Sequence, residues 1–379
     1  MYLEGFFSRI VVISAKSVNY YFIMSAPYFL FTRVLLHFAE RKEEVMGDIS
    51  AAAFSSDGHL WVGSDEMIGV ERLSPIGCHS YGEHQRFLLQ DYIDLFNTDD
   101  EIDIEGMDFA NGYLWLTGSH STKRKKPKKD DLETNLERLA IVTTDLNRFI
   151  LARIPIIDGK LIQSYSPKDS NSLTAACLQT TEERNILWET LKEDRHLKPF
   201  IESSIPSKDN GLDIEGLAVK DERLFLGLRG PVLRGWAIVI EIELTETSSG
   251  VLSLKEIGDD GAKYKKYFLD LDGLGVRELC WQNDDLLILA GPTMSIEGEM
   301  QIFRWCDAAQ SKGNTIQKQD EDELFPLFDL PFTVGSDHAE GLALYSCWER
   351  EDGLMVFYDS PNKQRIRDEG QIFVDVFRI

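Results

Sequence analysis

A short acidic motif recurs along the chain and constrains its fold more than any other feature. Its clearest copies are residues 213–217 (DIEGL), 103–107 (DIEGM) and 338–342 (HAEGL), and degenerate copies begin near Asp48 and Gly275. Self-similarity at a period of some tens of residues is typical of repeat architectures. We therefore expect five structural repeats built on one plan.

Each copy is followed by a second apolar run, such as Leu224–Leu228 after the motif at 213–217. Short apolar runs bounded by Gly, Asp and Asn predict strands joined by tight hairpins. A propeller blade of four antiparallel strands needs about 40 to 50 residues, which these spacings allow with long loops. The sequence thus predicts an all-β fold, a β-propeller of five four-stranded antiparallel blades. Six blades are the alternative, because the interval between the second and third copies is about twice that of the others.

The segments that lack the motif indicate how the chain is divided into a domain and an insertion. Residues 32–379 are predicted to form a single propeller domain, and residues 158–212 a helical insertion, in which Glu182–Phe200 has apolar residues at near-helical spacing. The segment Arg33–Phe38 is a lone strand, whereas the last repeat supplies only three. Closed propellers complete such a blade with a strand from the opposite terminus, so we expect closure between the N- and C-terminal strands.

The strand positions within the blades can also be predicted. We assign them by the apolar runs between turn residues. The first blade should hold residues 49–54, 59–63, 68–73 and 86–95, the second 104–109, 113–117, 138–144 and 148–156, and the fourth should end with 301–305 and 324–330.

Residues 1–31 are treated separately and are interpreted as an N-terminal extension outside the fold. No window reaches the eighteen apolar residues of a spanning helix, so no membrane span is predicted. A start at Met24 would remove most of the extension. Five scattered cysteines indicate a reducing compartment, and we predict a cytoplasmic protein. Export is the alternative, if the first 30 residues are a signal peptide.

Charge limits the classes of partner. The net charge of -24 argues against general nucleic-acid binding, because phosphate binding needs a basic face. One dense basic run, Lys123–Lys129, opposes this trend. We interpret it as a solvated loop, with contact to an anionic or protein partner as the alternative.

The chemistry of the repeat follows from strand direction. In an antiparallel hairpin the start of the first strand and the end of the second lie on the same face, which in propellers surrounds the central channel. Carboxylates at these positions are hard oxygen ligands that suit Ca²⁺, Mg²⁺ or Mn²⁺. The candidate metal ligands are Glu105, Glu215, Glu340, Asp103, Asp213 and Asp359; the candidate catalytic residues are His120, His338 and Arg229; further candidates on the channel face are Asp65, Arg234, Arg277 and Glu278.

A structural role competes with this hypothesis. In repeat proteins an equivalent acidic residue in each repeat can accept hydrogen bonds from backbone N–H groups of the next repeat. We consider this alternative for Glu105, Glu215 and Glu340. The glycine after each glutamate is interpreted as structural, for a bend or a close backbone approach.

The motifs also resemble a known family. Residues 213–219, 226–236, 277–279 with 289–292, and 338–342 with 358–361 together resemble an uncharacterised bacterial domain-of-unknown-function family, number three-six-one-six. That family lends no activity. More distantly, the acidic repeat is similar to esterase-like phytase propellers and to lactonase propellers, which implies a divalent metal in the channel.

Two hypotheses of different class result. The first is a binding or interaction scaffold that presents the acidic channel face to an unknown protein or small-molecule ligand. The alternative is a divalent-metal-assisted hydrolase of an ester, lactone or phosphoester, with His120 or His338 as general base and Arg229 as oxyanion or phosphate contact. The sequence contains no G-x-S-x-G, Walker A or H-E-x-x-H motif, which weakens the common hydrolase and nucleotide chemistries.

Overall fold

Strands are the main secondary structure of the described chain. The computed structural model describes residues 30–39, 42–98, 100–128, 131–167, 172–331, 333–347 and 350–379. Within these ranges the fold is all-β with few helices. Residues 1–29, nearly all of the predicted N-terminal extension, lie outside the described residues.

Each copy of the motif lies in or next to the first strand of a four-stranded antiparallel unit. Unit 1 comprises Ile49–Phe54, Leu60–Ser64, Gly69–Gly77 and Ser80–Leu88; unit 2 comprises Ile104–Ala110, Tyr113–Gly118, Leu151–Ile157 and Ala176–Leu178; unit 3 comprises Asp213–Lys220, Arg223–Leu233, Trp236–Ser248 and Lys265–Asp270. Unit 4 comprises Gly275–Gln282, Asp285–Gly291, Gln301–Trp305 and Leu324–Asp329, and unit 5 comprises His338–Cys347, Arg350–Asp359, Gln371–Arg378 and Leu30–His37.

The remaining elements are short and lie between or beside the units. The short strands are Lys123–Arg124, Val142–Thr143, Lys160–Leu161, Ser164–Tyr165, Leu173–Thr174, Val251–Leu254, Thr315–Gln317 and Ile366–Asp368. The α-helices are Lys42–Gly47, Leu132–Ala140, Ile186–Lys192 and Lys198–Glu202, and single 3-10 turns occupy Leu89–Asp91, Leu146–Phe149, Ser207–Asp209, Asp259–Gly261, Ala308–Gln310 and Lys363–Arg365. Among the described elements, no helix has the length and apolar character needed to cross a membrane.

The five first strands pack against one another in a closed ring. Each contacts the first strands of the two neighbouring units, and the first strand of unit 5 contacts that of unit 1. The glycine of the motif allows this approach, because a Cβ at Gly106 would lie 2.8 Å from the backbone nitrogen of Leu217 in unit 3. A Cβ at Gly216 would in turn lie 3.1 Å from the backbone nitrogen of Leu279 in unit 4. The motif glycines at these two positions are therefore structural.

The two ends of the described chain meet in unit 5. Strand Leu30–His37 pairs antiparallel with Gln371–Arg378, with Leu35 opposite Phe373. Val34 and Leu36 are fully buried in the core between units 5 and 1, and this burial stabilises the strand in the sheet. The strand begins three residues before the predicted Arg33.

Two predicted strands are wrong. Residues 138–144 were expected to be the third strand of the second blade, but helix Leu132–Ala140 occupies residues 138–140, and only the short strand Val142–Thr143 follows. The helix begins where the Asp131 carboxylate accepts the backbone N–H of Thr134. The third strand is Leu151–Ile157 instead. In unit 1 the fourth strand is residues 80–88 rather than 86–95, because the chain turns back at once through the tight hairpin in which Gly77 pairs with Ser80.

The segment 158–212 contains helices, as predicted, but not a single helix over 182–200. Helix Ile186–Lys192 ends before Asp194, whose carboxylate accepts the backbone N–H groups of His196 and Leu197 and so stabilises a turn. A second helix, Lys198–Glu202, follows. Strand Ala176–Leu178 from the same segment pairs with Leu151–Ile157 and completes unit 2.

Candidate functional site

A β-bulge occurs at the same position in all five first strands. In each unit one residue is skipped by the antiparallel register with the second strand. Bulges re-aim a side chain relative to its neighbours and are common beside functional sites. The five equivalent bulge residues are Ser50, Glu105, Glu215, Arg277 and Glu340.

Arginines hold both oxygens of Glu215. Its Oε1 lies 2.8 Å from Arg229 Nη1, and its Oε2 lies 2.9 Å from Arg277 Nε. Arg277 also donates through Nη2 to Glu340. All these side chains except that of Glu340 are buried, so the ion pairs are shielded from water. Bulge residues of three successive units are thereby linked through one guanidinium group.

Two aspartates beside this chain of contacts are only partly satisfied. Arg148 Nη1 donates to Asp103 Oδ1 at 2.6 Å, and Arg229 Nη1 lies 3.6 Å from Asp213 Oδ2. The second oxygens, Asp103 Oδ2 and Asp213 Oδ1, are buried without a hydrogen-bond partner among the described residues. Arg148 was missed by sequence analysis, because it lies in the 3-10 turn Leu146–Phe149, in a segment without a motif, and nothing in the sequence marks it as buried.

Three further carboxylates have no cation partner at all. Within the described part of the chain, no hydrogen bond or ion pair reaches the side chains of Asp48, Asp65 or Glu105. Burial raises the pKa of Glu105 well above its ordinary value, and repulsion by Asp103 and other carboxylates adds to it. The same causes, with Glu340 the foremost neighbour, raise the pKa of Asp65. Burial, then the charges of nearby carboxylates, raise the pKa of Asp48 to about 6.

Two ion-paired members of this cluster are also hard to ionise. Burial raises the pKa of Asp213 to about 7, with repulsion by Glu215 the next cause. Burial likewise raises the pKa of Glu340 to about 7, although Arg277 opposes the shift. We call the whole cluster the acidic face, and among the described residues it comprises the eight carboxyl groups of Asp48, Asp65, Asp103, Glu105, Asp213, Glu215, Glu340 and Asp359 and the three arginines Arg148, Arg229 and Arg277.

Glu278 does not belong to the acidic face. Its carboxylate accepts the backbone N–H groups of Leu217 at 3.0 Å and Leu279 at 2.8 Å, and so joins unit 3 to unit 4. Asp108 similarly accepts the backbone N–H of Val219 at 2.7 Å. The role in register that we considered for Glu105, Glu215 and Glu340 is thus performed by Glu278 and Asp108.

The two candidate histidines occupy different surroundings. His120 is 1% exposed; its Nδ1 donates to the Gly118 carbonyl and its Nε2 accepts from Asn185, so neither nitrogen is free to take a proton from a substrate. Burial lowers the pKa of His120 to about 4. His338 lies at the edge of the acidic face, where hydrogen bonding to Asp359 raises its pKa.

Arg234 and the basic run lie elsewhere. Arg234 is exposed at the turn between strands Arg223–Leu233 and Trp236–Ser248, and no ion pair with a described residue involves it. Lys123 pairs with Asp145 at 2.9 Å and Arg124 with Asp209 at 2.8 Å. Residues 125–128 are exposed. Neither Arg234 nor the basic run contributes to the acidic face.

The arginines bear directly on the predicted metal site. Three of the six predicted ligands, Glu215, Glu340 and Asp103, accept hydrogen bonds from guanidinium groups. In the described ranges no three His, Cys, Asp or Glu side chains are grouped as metal ligands. Carboxyl groups of the acidic face that contact no arginine are those of Asp48, Asp65, Glu105 and Asp359. Of these, Glu105, Asp65 and Asp359 are the residues that would hold a divalent cation.

The bulged strands and their closed ring define an all-β repeat protein. Comparison of sequences then gives its family. The chain belongs to the family described as protein of unknown function DUF3616, which matches residues 48–375. This confirms the predicted family resemblance. None of the curated proteins compared with the chain matches it.

Comparison with solved structures finds distant similarity to several enzymes. Virginiamycin B lyase from Staphylococcus aureus is 8% identical, with a TM-score of 0.36 and coverage of 92% of this chain and 99% of that chain. Aldose sugar dehydrogenase from Streptomyces coelicolor is 8% identical, with a TM-score of 0.39 and coverage of 93% and 97%. At these values the likeness carries no argument about the activity of this chain.

Proposed function

We propose that units 1 to 5 are the blades of a five-bladed β-propeller and that the protein is a binding scaffold whose acidic face takes a cationic ligand. The ring of first strands supports five blades. The doubled interval between the second and third motifs had left six blades open. After strand Leu151–Ile157 its described residues hold helices, short strands and strand Ala176–Leu178, rather than another four-stranded unit.

The observation that carries this proposal is the excess of carboxyl groups over arginines. Eight carboxyl groups meet three arginines, and Glu105 and Asp65 are left without any cation of the protein itself. Burial is the first cause of the raised pKa values of these groups, and repulsion between the neighbouring carboxylates adds to it. An ammonium or guanidinium group placed among them would replace bound protons and relieve that repulsion. We therefore favour a ligand with such a group, carried by a small molecule or by a protein partner.

Calorimetric titration at pH 8 with spermidine and with guanidinium as probes tests the proposal. We expect binding at a Kd of about 1 mM or lower. The double variant Glu105→Gln and Asp65→Asn should weaken it about tenfold. The matched control is Glu133→Gln with Glu137→Gln on helix Leu132–Ala140, outside the acidic face, which should bind as the unaltered protein does. Equal affinity in both double variants, or no binding of either probe, would reject the proposal.

The second candidate function is the divalent-metal-assisted hydrolase. It is favoured by one observation, that Glu105, Asp65 and Asp359 keep carboxylate oxygens free of arginine while His338 lies 3.7 Å from Asp359. Elemental analysis of the purified protein, paired with thermal unfolding after chelation, distinguishes the two candidates. A bound divalent ion and a Tm lowered by chelator support the hydrolase. No ion, with a Tm indifferent to chelator and to added Ca²⁺ or Mn²⁺, removes it.

A further inference from the structure

A groove lies beside the outer strand of unit 3, away from the acidic face. It encloses about 900 Å³. Residues 190–196, at the end of helix Ile186–Lys192, form one wall, and strand Lys265–Asp270 forms the other. Asn314 and Ile316 complete the rim. The groove therefore lies between the helical segment and the propeller-like body. None of the sequence motifs described above predicted a site there.

Four ionisable side chains meet at the floor of the groove. Lys266 is 6% exposed, and its ammonium group contacts the Asp194 carboxylate and lies 2.8 Å from His196 Nδ1. Asp194 also accepts the Tyr264 hydroxyl at 2.5 Å. These contacts hold the ammonium group in one place. Burial lowers the pKa of Lys266, and the positive charge of Arg195 lowers it further.

The charges around Lys266 are not balanced. Arg195 and Lys263 line the groove, both are exposed, and neither forms an ion pair with any described residue. Glu193, which could compensate them, pairs instead with Lys198 at 3.2 Å. The lining of the groove thus carries three cationic groups, and of its two carboxylates only that of Asp194 faces them, on a chain whose net charge is -24. An anion bound there would relieve the repulsion between Arg195 and Lys266.

The other side of the groove is apolar. The Phe268 ring packs edge-on to His196, with centroids 5.1 Å apart and an interplanar angle of 77°. Ile316 is 63% exposed at the rim, an unusual position for a large aliphatic side chain. A flat apolar group would cover both residues while an attached anion reached the floor.

We propose that this groove binds a small organic anion. Its carboxylate or phosphate group would lie against Lys266, Arg195 and Lys263, and its flat apolar part against Phe268 and Ile316. The combination of a preformed ammonium group, two unpaired cations and an apolar wall matches ligand sites that fix orientation with few polar groups. This site is independent of the acidic face.

Isothermal titration calorimetry with phenyl phosphate, benzoate, phenol and inorganic phosphate tests the proposal. Phenyl phosphate or benzoate should bind at a Kd of about 1 mM or lower, and about tenfold more tightly than phenol. Inorganic phosphate should bind more weakly than phenyl phosphate, because it cannot cover the apolar wall. Failure of both aromatic anions to bind, or equal binding of phenol, overturns the proposal.

Variants locate the site. Arg195 and Lys263 are both exposed, so their side chains are not needed for folding. The double variant Arg195→Ala with Lys263→Ala should weaken the binding of phenyl phosphate about tenfold. Lys125→Ala with Lys126→Ala removes the same charge from the exposed basic run and should leave the affinity unchanged. Phe268→Ala should weaken the binding of phenyl phosphate but not that of inorganic phosphate. Equal affinities in the two double variants overturn the assignment, and Glu105→Gln, which tests the acidic face, should not alter phenyl phosphate binding.

Discussion

Arg277 in unit 4 holds the bulge position that Glu215 holds in unit 3, and the two side chains form a buried ion pair with Nε 2.9 Å from Oε2. One degenerate copy of the motif thus supplies the cation that its intact neighbour requires. The departure from the repeat at this position is part of the charge balance of the acidic face. Its consequences can be measured.

Removal of Arg277 should destabilise the protein strongly. Arg277→Gln leaves Glu215 with one arginine and Glu340 with none, and breaking a buried pair in this way costs about 3 to 5 kcal/mol. Urea unfolding at pH 8 measures the change. The matched control is Arg304→Gln, which breaks a more exposed pair with Asp285 at 2.8 Å and should cost about 1 kcal/mol or less. Equal losses in the two variants would contradict the assignment of Arg277 to a buried network.

Stability should fall as the pH rises from 5.5 to 8. Asp213 and Glu340 have pKa values of about 7 in the folded chain, against ordinary values of 3.8 and 4.5. Because these two groups bind more protons in the folded state than in the unfolded state in this window, they favour folding at the lower pH and lose that contribution as the pH passes 7. Urea unfolding at the two pH values gives the difference directly. A free energy of unfolding that is higher at pH 8 would refute this prediction.

Glu105→Gln should reduce that pH dependence. The substitution removes a charge that has no cation partner, so we expect it to raise the free energy of unfolding at pH 8 by about 1 kcal/mol and to change it little at pH 5.5. Chemical denaturation of the variant at both pH values tests this. Glu133→Gln, on the exposed face of helix Leu132–Ala140, is the control and should leave the slope unchanged. A destabilised Glu105→Gln protein at pH 8 would mean that the carboxylate has a partner we have not identified.

The motif glycine should not tolerate a methyl group. In Gly106→Ala the new Cβ would lie 2.8 Å from the backbone nitrogen of Leu217, so the first strands of units 2 and 3 must move apart, at about 1 to 3 kcal/mol. Gly47→Ala is the control, because nothing lies within 4 Å of its Cβ position. Thermal and urea unfolding compare the two. A neutral Gly106→Ala would show that the ring of first strands is looser than its packing indicates.

The strand Leu30–His37 should be needed for stability. Leu36 is fully buried, so Leu36→Ala should cost about 2 to 5 kcal/mol. Leu30 in the same strand is 42% exposed, and Leu30→Ala should change stability by about 0.5 kcal/mol or less. Urea unfolding of both variants decides whether the strand is an integral part of unit 5. Similar small effects would mean that it is only loosely attached.

The repeat was predictable because its physical cause is local. Alternating apolar runs and turn residues define hairpins, and the last two strands of unit 4 lie within one residue of their predicted positions. The outer strands of units 1 and 2 were misplaced because they are short or partly exposed, and exposed strands lack a clear apolar pattern. The short strand Ala176–Leu178 has almost no signal of its own, since its position depends on partners distant in sequence.

The acidic face was predictable only in part. The recurring motif identified Glu105, Glu215 and Glu340, and strand direction added Asp65 and Asp359. The bulge, which makes Arg277 rather than Glu278 the equivalent of those glutamates, depends on backbone register and has no sequence signal of its own. Arg148 and the Lys266 cluster arise from loops and outer strands that only the folded chain brings together.

The pairing of Leu30–His37 with Gln371–Arg378 also bears on biosynthesis. The first of these strands leaves the ribosome early, but its sheet partner in unit 5 appears only when residues 371–378 have been made. Until then its apolar side chains lack their neighbours from unit 5, and transiently exposed apolar surface of this kind makes a chain prone to aggregation. Because unit 5 also supplies Glu340 and Asp359, the acidic face cannot exist on a partly translated chain.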